Sequence, residues 1–349
     1  MKISDFDFDL PERLIAQKAA EPRDSARMMV LHRADRRIEH RRVSDLPSFL
    51  APGDLLVLYD TRVIPARAFG VKESSGGRVE VLFLEENPDG TWDALLRAGS
   101  SRPQPGARLR LGVGAPLTME MVRDGGKGRC TLAVADGGPV LDFLQREGVP
   151  PLPPYIRRAP VDPATPADRE RYQTVYARDP GSVAAPTAGL HFTPELFRAL
   201  TARGVDRAFV TLHVGLGTFR PVTAEDPREH RMDGERYEVG DAAAALLAGT
   251  RAAGGRIVAV GSTTVRTRET MARDRGGPAA GRGRSDLFIH SPFAFRLVDA
   301  MLTNFHLPRS TLLMMVCALA GQEFTLHACA EAVREGYRFY SYGDCMLVL

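Results

Sequence analysis

The sequence predicts an α/β domain with an inserted small β-barrel domain, and three observations carry that expectation. The chain has 349 residues, more than one hydrophobic core usually fills, so two domains are expected. Between residues 63 and 150 it breaks into short alternating runs, "VIPARAFGVK", "GRVEVLFLEE", "TWDALLRA", "ARLRLGV", "LTMEMVR" and "GRCTLAVAD", parted by Gly, Pro and Asp clusters. Strands at that spacing read as a barrel or sandwich. Beyond the proline-rich hinge "GVPPLPPYIRRAP", helical and strand patterns alternate, which is the pattern of an α/β layer with crossovers. The expected boundaries are 1–62 with 155–349 for a discontinuous, catalytic α/β domain and 63–154 for the barrel.

Taken in order, "DLPERLIAQ" reads as a short helix, because Asp9 and Glu12 have capping-box spacing and Pro11 falls in the first turn. "RMMVLHRADRRIEHRRV" alternates around a polar turn as a hairpin does, and Leu55 to Tyr59 in "GDLLVLYDTR" is the apolar run of a buried strand. After the hinge, "ADRERYQTVYAR" and "TPELFRALTARG" read as helices, the second with Thr193 as N-cap. "RAFVTLHV", "RIVAVGS", "DLFIH", "LVDAMLTNF" and "RFYSYGDCMLVL" read as strands; "DAAAALLAGTRAAGG", "STLLMMVCALAG" and "TLHACAEAVREGY" read as helices. The segment 273–286, "RDRGGPAAGRGRSD", has little apolar surface to bury and is expected to be a mobile solvated loop, with an Arg-rich arm closing on phosphates as the functional alternative.

Composition excludes more than it selects. Hydrophobic residues are 44% and charged residues 26%, ordinary for a globular chain and unlike disordered or membrane compositions. The formal charge of +3 decides little about partners, although Lys occurs only at Lys2, Lys18, Lys72 and Lys127, so nearly all positive charge is Arg. No apolar run approaches the ~18 residues of a membrane span. Cys130, Cys317, Cys329 and Cys345 show neither C-x-x-C nor His at ligand spacing, and "MKISDFDFDL" is acidic where a signal peptide would be basic. A cytoplasmic protein with no metal site is expected.

In an open α/β layer ligands gather at the carboxyl ends of strands, and the unusual stretches fall there: "YDTRVIPAR", "GSVAAPTAGLHF", "HVGLGTFRPV", "VGSTTVR" and "LTNFHLPRSTLL". "VGSTTVR" offers Thr263 and Thr264 at a helix start, as anion ligands or as caps. "HVGLGTF" lacks the third glycine and following acid of a dinucleotide or methyl-donor loop, and Pro221 breaks the helix that should follow. His191, His213 and His306 stand on separate strand-end loops, and "EHRMDGERY" adds carboxylates including Glu235 beside a His.

These blocks together resemble the S-adenosylmethionine:tRNA ribosyltransferase-isomerase family of queuosine biosynthesis. The resemblance runs from "SDFDFDLPERLIAQ" through "GDLLVLYDTRVIPAR", "YQTVYA", "GSVAAPTAGLHFT", "HVGLGTFRPV", "VGSTTVRT" and "VDAMLTNFHLPRSTLLM" to "YRFYSYGDCML", the whole chain. It departs from the family pattern at Tyr59, Leu212 and Asp233, where the family commonly has Asn, His and His.

The resemblance implies an α/β domain with an inserted β-barrel, and transfer of the ribosyl part of S-adenosylmethionine to 7-aminomethyl-7-deazaguanine (preQ1) in the anticodon wobble position of tRNA. Epoxyqueuosine forms while adenine and methionine leave; S-adenosylmethionine is a cosubstrate, no cofactor or metal is implied, and a monomer is expected. The candidates are His213 and His191 as base and acid with pKa values near working pH, and Asp60, Glu235 and Tyr237 at the sulfonium or sugar hydroxyls. Arg62 and Arg309 are candidates for the methionine carboxylate, and Ser182, Thr187, Gly189, Thr263, Thr264, Asn304 and His306 for binding substrate. The small residues 182–189 would let backbone lie flat against adenine or the modified base, or would serve tight packing within the protein. Arg36, Arg37, Arg41 and Arg42 are candidates for tRNA phosphates. A tRNA methyltransferase and a non-catalytic RNA-binding protein are the alternative classes.

Overall fold

The computed structural model describes residues 1–99, 101–158, 166–213, 224–232 and 234–349. They divide into two units, one of Met1–Thr61, Gln173–Asp179 and Ala185–Leu349, the other of Arg62–Tyr172 and Pro180–Ala184.

The chain begins with 3-10 turns, Ile3–Phe6, Glu12–Leu14 and Arg23–Ser25, and not with the helix expected around Pro11. No side chain caps the second turn. The backbone here bonds to a residue far along the chain instead: Phe339 N–H donates to the Leu14 carbonyl and Ala16 N–H to the Phe339 carbonyl. The expected hairpin follows, β1 (Arg27–His32) and β2 (Arg37–Arg42), and then β3 (Leu55–Tyr59), buried throughout.

After the short β4 (Thr61–Val63) the second unit contributes β5 (Arg67–Lys72), β6 (Arg78–Glu86), β7 (Trp92–Ala98), β8 (Arg108–Leu111), β9 (Leu117–Gly126) and β10 (Arg129–Asp136). They form a six-stranded antiparallel sheet in the order β10-β7-β6-β5-β8-β9, and β9 also pairs with β10, so every strand has two neighbours. Alternate side chains, such as Val79, Val81 and Phe83 or Leu117, Met119 and Met121, are buried, which is why these segments read as alternating. Helix α1 (Val140–Glu147), absent from the sequence reading, buries Phe143 and Leu144, and a Cβ on Gly112 would stand 2.7 Å from the Phe143 ring. The hinge residues stay with this unit: the Arg67 guanidinium donates to Leu152, and Asp168 of α2 (Pro166–Arg171) takes a two-pronged bond from Arg158. A structured, hydrogen-bonded segment therefore stands where a stiff linker was expected.

The chain returns through β11 (Asp179–Ser182), α3 (Pro194–Ala202), β12 (Asp206–His213), β13 (Glu235–Val239), α4 (Asp241–Ala252), β14 (Ile257–Val260) and α5 (Ser262–Arg275). It ends with β15 (Gly281–Ser285), β16 (Ala300–Asn304), α6 (Thr311–Ala320), α7 (Gln322–Arg334) and β17 (Cys345–Val348). Thr193 caps α3 as expected, its hydroxyl accepting from Leu196 N–H at 3.0 Å. Within the first unit nine strands form a mixed sheet in the order β15-β13-β12-β3-β14-β16-β17-β1-β2, with β12, β3, β14 and β16 mutually parallel at its centre.

Both faces of this sheet are covered. Met28, Val30, Leu56, Leu58, Val258 and Leu347 pack on one side with Leu196 and Leu200 of α3. Met29, Leu31, Ala259, Met301 and Met346 pack on the other with Val265 of α5, Met315 of α6 and Ala328 of α7. Burial on two faces is what turns central strands into unbroken apolar runs.

Two expectations fail at one edge of this sheet. "DLFIH" is not a strand, and the segment expected to be a mobile loop is largely regular structure: it finishes α5, turns at Gly276 (φ 77°) and runs as β15 along β13. Ladder hydrogen bonds and arginine contacts order it where apolar burial was missing. No single described helix is long and apolar enough to cross a membrane.

Candidate active site

The four central strands β12, β3, β14 and β16 are parallel, so their carboxyl ends point the same way. Asp60 follows β3, Gly261 and Ser262 follow β14, Asn304 ends β16 and leads to His306, and His213 ends β12. This is the edge of an α/β sheet where ligands gather. The His213 side chain and residues 214–223, including most of "HVGLGTFRPV", lie outside the described atoms, as does Asp233.

The 3-10 turn Thr187–His191 supplies the facing side chain. His191 is 5% exposed, and its Nε2 lies 3.4 Å from Asn304 Nδ2, which also donates to the Tyr340 carbonyl at 3.0 Å. With the amide as donor, Nε2 is an acceptor and the imidazole is neutral. Burial pushes the His191 pKa down to about 4, opposed by the Asp344 carboxylate. His306, 2.9 Å from the Thr303 hydroxyl, is pushed by burial to about 3. Neither ring titrates near neutral pH, contrary to the expectation for His191; a buried imidazolium is too poorly solvated. Asn304 Oδ1 is buried without a hydrogen-bond partner among the described residues.

Asp60, 2% exposed, accepts from Thr211 Oγ1 at 2.9 Å and faces Arg178 Nη2 at 2.8 Å. Burial nevertheless raises its pKa above the usual carboxyl value, the Thr211 bond and the Arg178 charge pulling the other way. Burial likewise holds the Tyr176 phenol well above its ordinary value, and its oxygen has no hydrogen-bond partner among the described residues.

The small residues beside His191 have internal reasons to be small. A Cβ on Gly189 would stand 2.0 Å from the Tyr176 oxygen and 3.0 Å from Thr174 Cγ2. Ala188 belongs to the core with Leu58, Val260 and Leu302, and its Cβ is 3.9 Å from where Gly261 would carry one. Tyr59, one of the departures, donates its hydroxyl to the Ala185 carbonyl at 3.3 Å, and its ring lies 3.4 Å from the same Gly261 position. Leu212, another, is fully buried.

Other candidates are engaged elsewhere. Glu235 pairs with Arg266 at 2.7 Å, both buried. The Thr264 hydroxyl donates to Val260 O and the Thr263 carbonyl accepts from Thr267, so α5 begins without a side-chain cap. The Tyr237 ring packs on β15, where a Cβ on Gly283 would meet it at 2.7 Å. Arg309 is tied to Asp7, and Ser310 caps α6. Thr187 is half-buried; Arg62 and Ser182 belong to the second unit, where Arg62 is exposed and Ser182 donates to Ala184 O. Arg37 and Arg41 share Glu39, Arg36 meets Glu323 and Arg42 donates to Ser25 O. Sequence reasoning missed Thr211, Tyr176, Arg178 and Asp344. Of these only Thr211, two residues before His213 on one strand, carried a readable signal.

The first unit is an α/β layer with ionisable and polar side chains gathered at the carboxyl ends of its parallel strands. A family model described as "Queuosine biosynthesis protein" matches residues 3–348. The S-adenosylmethionine:tRNA ribosyltransferase-isomerase of Symbiobacterium thermophilum is 50% identical over all of both chains, and that of Anaeromyxobacter dehalogenans (strain 2CP-1) is 55% identical over 100% of this chain and 99% of its own. The crystal structure of S-adenosylmethionine tRNA ribosyltransferase from Thermotoga maritima matches 99% of this chain and 100% of its own, with a TM-score of 0.56 and 39% identity. The chain belongs to the queuosine biosynthesis protein family, a family of transferase-isomerases that modify tRNA.

Proposed function

We propose that the strand-end site transfers and isomerises the ribosyl part of S-adenosylmethionine onto 7-aminomethyl-7-deazaguanine in the wobble position of a tRNA. The observation that carries this reading is that His191 meets Asn304 beside His306 at the end of β16, while Asp60 follows β3 on the same side of the parallel strands, in a chain of this family. The sulfonium acidifies the ribose C5′ hydrogen, a base removes it and adenine leaves. The aminomethyl nitrogen then attacks the opened sugar, and epoxide closure releases methionine.

In this reading His213 is the base, and His191, neutral with Nε2 accepting, shuttles a proton when substrate excludes water. Asp60, its carboxyl raised by burial, holds a sugar hydroxyl. Thr187, Gly189 and Thr263 of the first unit remain substrate-binding candidates. Glu235 is left to its pair with Arg266. The six-stranded sheet is the inserted β-barrel domain, and the protein works in the cytoplasm as a monomer without a cofactor. The target base is splayed from the anticodon loop into the site.

The test incubates the protein with S-adenosylmethionine and tRNA carrying the aminomethyl base, then measures adenine, methionine and S-adenosylhomocysteine. Adenine and methionine in equal amounts, only with modified tRNA, are expected. S-adenosylhomocysteine would replace this reading with methyl transfer, and tRNA binding without any turnover would leave an RNA-binding protein.

A further inference from the structure

The end of β16 holds one buried acceptor with nothing to accept. Asn304 is 2% exposed; its Nδ2 donates to the Tyr340 carbonyl at 3.0 Å and lies 3.4 Å from His191 Nε2, so both amide hydrogens are used. Exchanging the two ends of the amide would set Oδ1 against the Tyr340 oxygen, so that carbonyl fixes which end is which. Oδ1 is then left buried without a hydrogen-bond partner among the described residues. A buried acceptor in that state is destabilising until a donor reaches it.

The surroundings hold the amide in this pose. Tyr340 stands at φ 74°, in left-handed backbone that residues with a side chain rarely adopt, and its carbonyl also accepts from Gly343 N–H at 2.9 Å. Backbone strain of this kind collects where a group has to be aimed. A Cβ on Gly343 would stand 2.5 Å from the Arg338 carbonyl oxygen, so the turn behind Tyr340 requires glycine. On the other side, a neutral His191 with Nε2 accepting carries its hydrogen on Nδ1, and this ring is hydrogen-bonded to the Arg23 backbone. Asp344, the carboxylate that acts on the ring, is taken by Arg338 at 3.3 Å. The unsatisfied oxygen therefore sits among neutral groups, which suit a neutral N–H or O–H better than an ammonium.

We propose that Asn304 Oδ1 is a specificity-determining contact to the nucleoside of the cosubstrate, accepting one hydrogen from either the exocyclic amine of its purine or a hydroxyl of its ribose. The proposal deepens the ribosyl-transfer reading and rests on it for the identity of the nucleoside. Its test reads binding, which does not require turnover. Nδ2 of the same amide keeps His191 Nε2 an acceptor, so one side chain, aimed by the Tyr340 carbonyl, both makes the contact and orients the ring beside it.

Dissociation constants of the wild-type, full-length protein are measured for S-adenosylmethionine and for three analogues, one lacking the purine 6-amino group, one the ribose 2′-hydroxyl and one the 3′-hydroxyl. One analogue is expected to bind about tenfold or more weakly, because it leaves the buried oxygen unpaired, and it identifies the donor. Asn304→Leu has no acceptor and is expected to lose that discrimination, binding S-adenosylmethionine and the same analogue within about twofold of each other. Asn304→Asp keeps an oxygen at this place and is expected to retain the discrimination. Equal wild-type affinity for all four ligands, with S-adenosylmethionine turned over to adenine and methionine, overturns the proposal and leaves the ribosyl-transfer reading standing; Oδ1 is then served by a buried water. Discrimination that persists undiminished in Asn304→Leu also overturns it, since another residue then makes the contact. Failure to bind S-adenosylmethionine at all overturns both readings. Discrimination lost in Asn304→Leu, in a protein whose product is S-adenosylhomocysteine, replaces ribosyl transfer and leaves the contact in place.

Discussion

The two edges of the nine-stranded sheet are both rich in arginine and differ in what the arginines face. At the β2 edge, Arg36, Arg37, Arg41 and Arg42 meet Glu323, Glu39 with Asp35, Glu39 again, and the Ser25 carbonyl. At the β15 edge, Arg282 takes Glu238 for itself and Arg284 donates to the Gly234 carbonyl. The edges also differ in distance from Asp60: β13 is two strands from β3 and β2 is five, roughly 10 Å against 24 Å. A count of arginines selects the β2 hairpin; the place in the sheet selects β15. Composition reports charge, and only pairing reports potential.

The largest expected effect breaks the β15 edge itself. Arg266 of α5 bonds Glu235 of β13, the Ser285 carbonyl of β15 and the Leu287 carbonyl, so one buried guanidinium fastens both strands. Arg266→Ala takes the buried guanidinium away from Glu235 and from the Ser285 and Leu287 carbonyls and is expected to cost about 3–5 kcal/mol, read as a lower denaturation midpoint and faster amide exchange over residues 281–285. If exchange rises equally at β2, the staple is not local.

Between the edges the strand ends are dry, and their response to acid separates them from both. His191 has a folded pKa of about 4, below the ordinary 6.5. Its neutral form is therefore favoured by folding: that stability is complete above 6.5 and is lost as pH falls through 4, on the order of 3 kcal/mol. His191→Gln is expected to flatten the stability curve between pH 6.5 and 4, and a curve identical to wild type would refute the burial argument. Ala188→Leu adds bulk between Leu58, Val260 and the Gly261 turn, with an expected loss of about 1–3 kcal/mol in chemical denaturation. A stable variant that binds S-adenosylmethionine poorly would instead restore the ligand-facing reading of the small residues.

The smallest effect converts one edge toward the other. Glu39→Gln removes the carboxylate shared by Arg37 and Arg41 and is expected to raise non-specific RNA binding a few-fold in low salt only, with turnover unchanged. An equal gain at high salt would mean that pairing is not what silences the β2 edge.

Much of the candidate site was legible in the sequence because its stretches follow apolar runs and precede helices, where strand-end loops belong. His191 meets Asn304 at the end of β16, close to His306, and Asp60 follows β3, two strands away in the sheet. Glu235 was not readable: nothing in "HRMDGERY" indicates that its partner is Arg266, 31 positions away on another element. The arginine segment misled for a related reason. It lacks apolar surface, yet an edge strand is ordered by ladder hydrogen bonds and needs little.

By itself the sequence determined the local periods: the hairpin, the buried run of β3, the alternating strands of the second unit, the Thr193 cap, and a series of blocks long enough to mark the family. Those follow from interactions between residues near in the chain, which spacing records. Tertiary structure alone decided which charges are neutralised and which imidazoles are desolvated: Arg266 with Glu235, Arg37 and Arg41 with Glu39, His191 at a pKa of about 4. Electrostatic energy depends on distance in space and on exclusion of water, and neither quantity is written in the order of the residues.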